Sequence, residues 1–328
     1  MDGERNKITV LGSANFDTFL FVDRMPEMGE TISAEGLITA CGGKGANQAV
    51  TIGKLGYNCD FIAQVGNDSA GKNIKEEMGN YNVNVHAIKI LDTVPTGQAF
   101  VFSYKNKNNS IIIAGGANVE WKDNNLEALR ESLPKSIKYN KTNIGKYLLL
   151  QREIPNDVNI RGSILAKEYG VQVILDMGGA DAPLSTELLS LLKIISPNKT
   201  ELRRILKREI DIKDTNKLIE ALEEMRIISN NKELCLLLKL GSKGSLYIDE
   251  TNNIIKQGAF NFEDMPILDT TGAGDCFTAS FTTQLVEGRS IKESLKFASA
   301  AAYVAITRIG AMPSLPTRDD VEKVLSRI

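Results

Sequence analysis

Short apolar runs recur along the chain, each closed by glycine or a polar turn and separated by stretches with helical periodicity. ITVLGSAN, from Ile8, reads as a first buried strand, and CDFIAQVG as a second. Between them 44–55 reads as a helix that stops at Gly56, and 69–81 as another. Further strands are expected at YLLLQ (147–151), VQVILDM (171–177), KIIS (193–196) and LCLLLKL (234–240), with helices near 157–169, 185–192, 199–207 and 214–228. Alternating βα units of this kind predict an α/β fold, a central and mostly parallel sheet flanked by helices on both faces.

Two stretches break the alternation. Residues 17–40 and 96–114 read as strand-turn-strand pieces, with KNKNNS as a hairpin tip. They predict a small β-sheet standing off the main sheet, a candidate lid. No internal repeat or low-complexity linker divides the chain, so 1–328 is expected to be one domain carrying that lid.

With 42% hydrophobic residues in 328, the chain can bury a large core. Its 39 basic and 41 acidic residues nearly balance, which gives no sign of nucleic acid or an anionic membrane as partner. The one modest basic run, 135–146, reads as a solvated loop or helix edge. Cys41, Cys59, Cys235 and Cys276 form neither a C-x-x-C pair nor a zinc spacing, which suits a reduced, cytoplasmic protein. The polar start MDGERNK precedes no signal-like apolar core, and no run approaches a membrane span. His86 is the only histidine, so histidine-based nucleophilic or zinc chemistry would rest on it alone. It lies in YNVNVHAIKI, which alternates like a strand, and reads as a surface or edge residue.

Five segments carry candidate chemistry. DTTGAGDCF (269–277) leads into an apolar helix opened by Gly272, Ala273 and Gly274. Small residues there let an anion approach free amides at a helix start, and Asp275 becomes a carboxylate beside that anion pocket. A plain capped helix is the competing reading. CGGKGANQAV (41–50) has no Walker A spacing. Gly42, Gly43 and Gly45 allow backbone approach, while Lys44 and Asn47 add donors suited to a hydroxyl-rich ligand; a simple glycine turn competes. Asn15 and Asp17, two apart on an extended segment, point the same way at a strand end. Asn198 and Glu201 in SPNKTE fit either a phosphate and hydrated Mg²⁺ site or a helix capping box. LLLKLGSKGSL places a glycine turn after a buried strand, where a nucleotide could pass close to the backbone.

Together these segments resemble the ribokinase family of sugar kinases, from about Ile8 to Pro316, and the pair GGKGANQAV and DTTGAGD carries the likeness. The resemblance implies ATP-dependent phosphorylation of a sugar, with ribose and its 5-hydroxyl favoured by the unbroken early motif. It makes Asp275 the catalytic base and Gly272, Ala273 and Gly274 the anion hole. It assigns the sugar to Asn15, Asp17, Gly43, Lys44, Gly45, Asn47 and Glu153, with Ala99 and Ile111 as apolar lid residues. It assigns the nucleotide to Asn198, Lys239, Leu240, Gly241, Ser242, Lys243, Gly244 and Ser299, and Mg²⁺ with phosphate to Glu201. Asp269, Thr271, Ala305, Arg308, Gly310 and Ser314 match a monovalent-cation site, usually potassium, that braces the anion-hole loop. Independently of the resemblance, the lid sheet would have exposed edges and an apolar face that pairing two lids would protect, so a homodimer joined through the lid is expected.

Three departures lie on the nucleotide side. Lys239 stands where many members have Thr, Ser299 where many have His, and Asp176-Met-Gly-Gly where many have Asn-Pro-Ala-Pro. The alternatives are a kinase for deoxyribose, fructose or a nucleoside, and a catalytically silent sugar-binding regulator. A nucleoside would need an aromatic platform, for which Trp121 and Tyr104 are the candidates near the lid.

Overall fold

The computed structural model of the chain describes residues 7–104, 109–121, 147–179 and 182–327. In chain order the strands are β1 Lys7–Leu11, β2 Asn15–Val22, β3 Gly36–Gly42, β4 Asn58–Gly66, β5 Val83–Asn84, β6 Ile88–Leu91, β7 Gly97–Tyr104, β8 Asn109–Ala114, β9 Tyr147–Arg152, β10 Gln172–Gly179, β11 Ile194–Ser196, β12 Cys235–Lys239, β13 Ser245–Ile248 and β14 Ile254–Gln257. The helices are α1 Lys44–Lys54, α2 Ser69–Gly79, α3 Asn156–Glu168, α4 Thr186–Leu191, α5 Lys199–Leu206, α6 Thr215–Ser229, α7 Ala273–Val286, α8 Ile291–Ile306 and α9 Arg318–Leu325.

The large sheet has the order β14-β13-β12-β11-β10-β9-β1-β4-β5, with β6 also on β4. It is parallel from β12 to β4 and turns antiparallel only at β13 and β14. Strands covered on both faces need apolar side chains in both directions. Leu148 and Leu150 of β9 enter one core with Val173 and Leu175, and the intervening Leu149 enters the other with Ile8 and Val10. The first core lies under α3, α5 and α6, the second under α1, α7 and α8.

The smaller sheet has the order β3-β2-β7-β8 and is built from the two segments that broke the βα pattern. β2 pairs antiparallel with β3 and parallel with β7, and β7 pairs antiparallel with β8. Residues 105–108 of the expected hairpin tip, and the basic run 135–146, lie outside the described residues.

Two expectations need correction. The first strand ends at Leu11, and Asn15 opens β2 of the small sheet instead of closing β1. YNVNVHAIKI is two short strands, because Val85 to Ala87 leave the ladder around an exposed His86 whose amide donates to Asn84 Oδ1. Among the described residues no helix is long and apolar enough to cross a membrane.

Candidate active site

The carboxyl ends of β1, β9, β10, β11 and β12 all open onto one crevice edge, where a parallel sheet presents its ligands. The chain leaves β1 through Gly12 and Ser13 and enters the small sheet at Asn15. Asn15 and Asp17 are buried and share one face of β2, as the spacing predicts. Asn118 fixes Asn15: its Nδ2 donates to Asn15 Oδ1 at 2.7 Å, while its Oδ1 accepts from the Ala14 amide at 2.9 Å. Asp17 Oδ1 is buried with no partner among the described residues. Burial, reinforced by Glu153 and Asp275 and opposed by Lys44, pushes the Asp17 carboxyl up to about 7.

The early glycine loop crosses directly over this turn. Gly43 has φ 89°, and an added Cβ would lie 2.8 Å from the Asn15 amide, so only glycine fits. The loop ends in α1, whose Lys44 amide donates to Glu153 Oε2 at 3.0 Å. Ser13 Oγ donates to the same oxygen at 2.6 Å. Glu153 thereby ties the end of β9 to both the β1 turn and the glycine loop.

Asp275 sits in the first turn of α7 and is buried. It accepts from Asn47 Nδ2 at 2.9 Å, and Lys44 Nζ stands 4.0 Å from its other oxygen. Burial raises the Asp275 carboxyl to about 6, with Asp176 and Glu153 adding and with Lys44 and the Asn47 bond opposing. Lys44 is held firmly protonated, chiefly by Asp275 against the pull of burial. Gly272 caps α7 in the left-handed region, with φ 74°. Ala273 donates a long 3.3 Å bond to Thr270 O, whereas among the described residues the Gly272 and Gly274 amides have no acceptor. These are the open donors expected at a helix start.

Beyond α7 lies a cavity of about 450 Å³ lined by Lys239, Gly241, Ser242, Gly244, Ser299 and Gly274 together with Phe260, Ile267, Phe277, Tyr303 and Ile306. Lys239, Gly241, Ser242, Gly244 and Ser299 were expected at a nucleotide, and Gly274, expected at the anion hole, joins them here. Leu240 packs instead against the core under α5, and Lys243 is exposed and does not line the cavity. Asn198 and Glu201 form a full capping box at α5: Asn198 Oδ1 accepts from the Glu201 amide at 2.9 Å and Glu201 Oε2 from the Asn198 amide at 2.7 Å. Burial first, and Asp176 second, raise the Glu201 carboxyl against the opposing Lys239.

The residues matched to a cation site surround the entry to α7. Asp269 Oδ1 accepts from the Thr271 amide and hydroxyl at 2.9 and 2.7 Å, and its Oδ2 from the Gly310 amide at 2.9 Å. The Arg308 amide donates to Ala305 O, the Arg308 guanidinium pairs with Asp320 at 3.0 Å, and the Ser314 hydroxyl donates to Ala311 O. A Cβ on Gly272 would lie 3.6 Å from Ala311 Cα, so this turn lies against the loop matched to an anion hole.

Ala99 is buried opposite Asp17 in the β2–β7 ladder, and Ile111 lies farther out, opposite Val101 and more than half exposed. Trp121 belongs to the core, its Nε1 donating to Asn118 O, and the Tyr104 hydroxyl donates to Ser110 at the outer end of β7. Neither lies in the crevice around Asp275. Sequence reading missed Ser13, Asn118 and the aromatic lining of the cavity. Ser13 was visible as a hydroxyl beside Asn15, but Asn118 and Phe260 carry no local pattern.

Residues 5–318 match the model of the pfkB family carbohydrate kinases. The chain is 40% identical over 332 residues to ribokinase of Arabidopsis thaliana, covering 99% of this chain and 82% of the relative. It is 33% identical to ribokinase of Haemophilus influenzae, covering 98% and 99%. The solved structure of Arabidopsis thaliana ribokinase complexed with ribose and ATP superimposes with a TM-score of 0.85 at 38% identity, covering 98% of each chain.

Proposed function

This chain belongs to the pfkB family of carbohydrate kinases, and from that premise we propose that it transfers the γ-phosphoryl group of ATP to the 5-hydroxyl of D-ribose. The observation that carries the reading is the bond from Asn47 to Asp275, with Lys44 at 4.0 Å. It joins a polar, hydroxyl-matching loop to a buried carboxylate at a helix start.

Ribose lies between the β1 turn and the small sheet, its hydroxyls held by Asn15, Asp17, Gly43, Lys44, Gly45, Asn47 and Glu153, with Ala99 and Ile111 over it. Asp275 accepts the proton of the 5-hydroxyl as that oxygen bonds to the γ-phosphorus and the bond to the β-phosphate oxygen breaks. Its raised affinity for protons makes it a better base than an exposed carboxylate. The open amides of Gly272 and Gly274, with the dipole of α7, stabilise charge on the moving group. The nucleotide base enters the apolar cavity of Phe260, Phe277 and Tyr303, and its phosphates run past Lys239 and Ser242 toward Gly274. Closure of the small sheet excludes water.

Among the described residues no cluster of three His, Cys, Asp or Glu forms a metal cage. That suits Mg²⁺ carried on nucleotide phosphates with most of its water. Glu201 would hold that hydrated ion, since only Oε2 is taken by the cap; the ion would supply charge neutralisation on the phosphates. The residues matched to potassium offer oxygen ligands only, and Asp269 accepts three hydrogen bonds of roughly four a carboxylate can take. This fits a hard monovalent ion held by Asp269, Thr271, Ala305, Arg308, Gly310 and Ser314, bracing the anion-hole loop.

The commitment of Trp121 to the core supports a small sugar over a nucleoside. A coupled ADP-release assay over ribose, deoxyribose, fructose and adenosine tests the reading. Ribose should give the highest kcat/KM, and another preferred acceptor would overturn the substrate. Sugar binding without turnover would instead establish a silent regulator.

A further inference from the structure

Asp176 ends the apolar run of β10 and is almost wholly buried. Its Oδ2 accepts from Lys239 Nζ at 2.6 Å and from Thr278 Oγ1 of α7 at 2.6 Å, and its Oδ1 accepts from the Gly178 amide at 3.0 Å. Burial works against the carboxylate, but the Lys239 charge and these donors outweigh it and hold Asp176 ionised. Lys239 reaches it from the end of β12, across the intervening β11.

The position of the ammonium is more telling than the pair itself. Lys239 lines the cavity assigned above to the nucleotide, and a Cβ on Gly274 would lie 3.7 Å from its Nζ. An ammonium has three donors, and among the described residues Asp176 takes one. Lys44 Nζ stands 4.0 Å from Asp275, and the Lys44 side chain lies against Gly178, where a Cβ would come within 2.9 Å of its Cε. The Asp-Met-Gly-Gly run therefore does two things: its aspartate anchors one lysine and its glycine makes room for the other. Five carboxylates, Asp17, Glu153, Asp176, Glu201 and Asp275, face these two lysines. A polyphosphate brought among them needs a cation beside the helix start.

We propose that Lys239 contacts the terminal phosphates of the nucleotide at the start of α7, and that Asp176 is the positioning residue that holds its ammonium there. This rests on the nucleotide reading of the cavity. Asp176 fixes the height of the ammonium along the crevice, and Thr278 ties the pair to the helix that carries Asp275. In this chain the residues at 176 and 239 form one charge-coupled pair.

The competing view is that Lys239 merely neutralises a buried aspartate. The double variant Asp176→Asn with Lys239→Thr separates the two, because it removes both charges together. Lys239→Thr alone should lower the melting temperature, and the double variant should recover most of it. Both should bind AMP-PNP at least tenfold more weakly while binding AMP within threefold of the parent protein. Their kcat/KM for ATP should fall at least tenfold, with ribose affinity unchanged. A folded double variant that binds AMP-PNP like the parent would overturn the proposal and leave Lys239 a structural counter-ion. Calorimetry with AMP-PNP and AMP reads Lys239 independently of turnover, so a parent protein inactive on every sugar would count against the kinase reading and not against this one.

Discussion

Asn47 donates its side-chain amide to Asp275 Oδ2 at 2.9 Å, across 228 positions of sequence. One residue belongs to the helix that begins at the early glycine loop, the other to the helix that begins at the late one. Hydrogen bonds to a charged group are worth about 1.5–3 kcal/mol. This one registers the two loops against each other, so the sugar and phosphoryl sites proposed for them would share a fixed geometry.

Asp275→Asn removes the proposed proton acceptor and keeps the volume. Turnover should fall by about 10²–10⁴, as expected for loss of a positioned base. Ribose affinity should change by less than about threefold, since the sugar's other contacts stay. Steady-state kinetics with calorimetric ribose titration check the split, and near-normal turnover would remove Asp275 from the mechanism.

Gly43→Ala places a Cβ against the Asn15 amide in a left-handed backbone. The strain costs about 1–3 kcal/mol. The melting temperature should drop, and KM for ribose should rise more than KM for ATP, because the displaced residues are Asn15 and Lys44. Equal changes in both would place the loop elsewhere in function.

Acid should inactivate the protein earlier than an ordinary aspartate would allow. A base works only when ionised, and Asp275 is raised to about 6. kcat/KM should climb through that pH and level off above it. The same upward shifts affect stability. A carboxyl that holds its proton more tightly folded than unfolded stabilises the fold at low pH and loses that contribution as pH rises. For Asp17 the window runs from about 4, its unfolded value, to about 7. Melting of the ligand-free protein across this range and a kcat/KM profile test both signs.

Replacing K⁺ by tetramethylammonium should lower kcat several-fold and leave ribose affinity nearly unchanged, since Asp269 and Gly310 lie beside the anion-hole loop and not beside the sugar. An unaltered rate would remove the cation from the scheme.

Leu37 and Ile38, on opposite faces of β3, are 60% and 51% exposed, and Ile111, Ile112 and Ile113 of β8 are similarly open. A homodimer joined through one face of this sheet would cover those that share that face. The native mass by light scattering should be twice that of the chain, and Leu37→Lys combined with Ile38→Lys should yield monomers. A monomeric parent would refute the pairing.

Most of the architecture was legible along the chain. Parallel strands buried on both faces read as continuous apolar runs, and α1 ends where glycine follows it, so β4, β9, β10 and β12 and the helices between them lie within a residue or two of their expected places. The small sheet was visible because its segments lack crossover helices. His86 is exposed, as expected, but the strand around it is not continuous, because alternation describes side-chain polarity whereas pairing needs a neighbouring strand, and the ladder lapses between β5 and β6.

Local chemistry also determined much of the site. Residue type and spacing singled out Gly43, Lys44, Asn47 and Asp275 as candidates, and the fold brings Lys44, Asn47 and Asp275 together. What only the tertiary structure decided was partnership. Asn118 beneath Asn15, the lysine of β12 on the aspartate of β10, and the aromatic wall of Phe260 and Tyr303 join residues far apart in the chain. No periodicity records such meetings, because which strand ends lie side by side follows from the order of the sheet and not from the order of the chain.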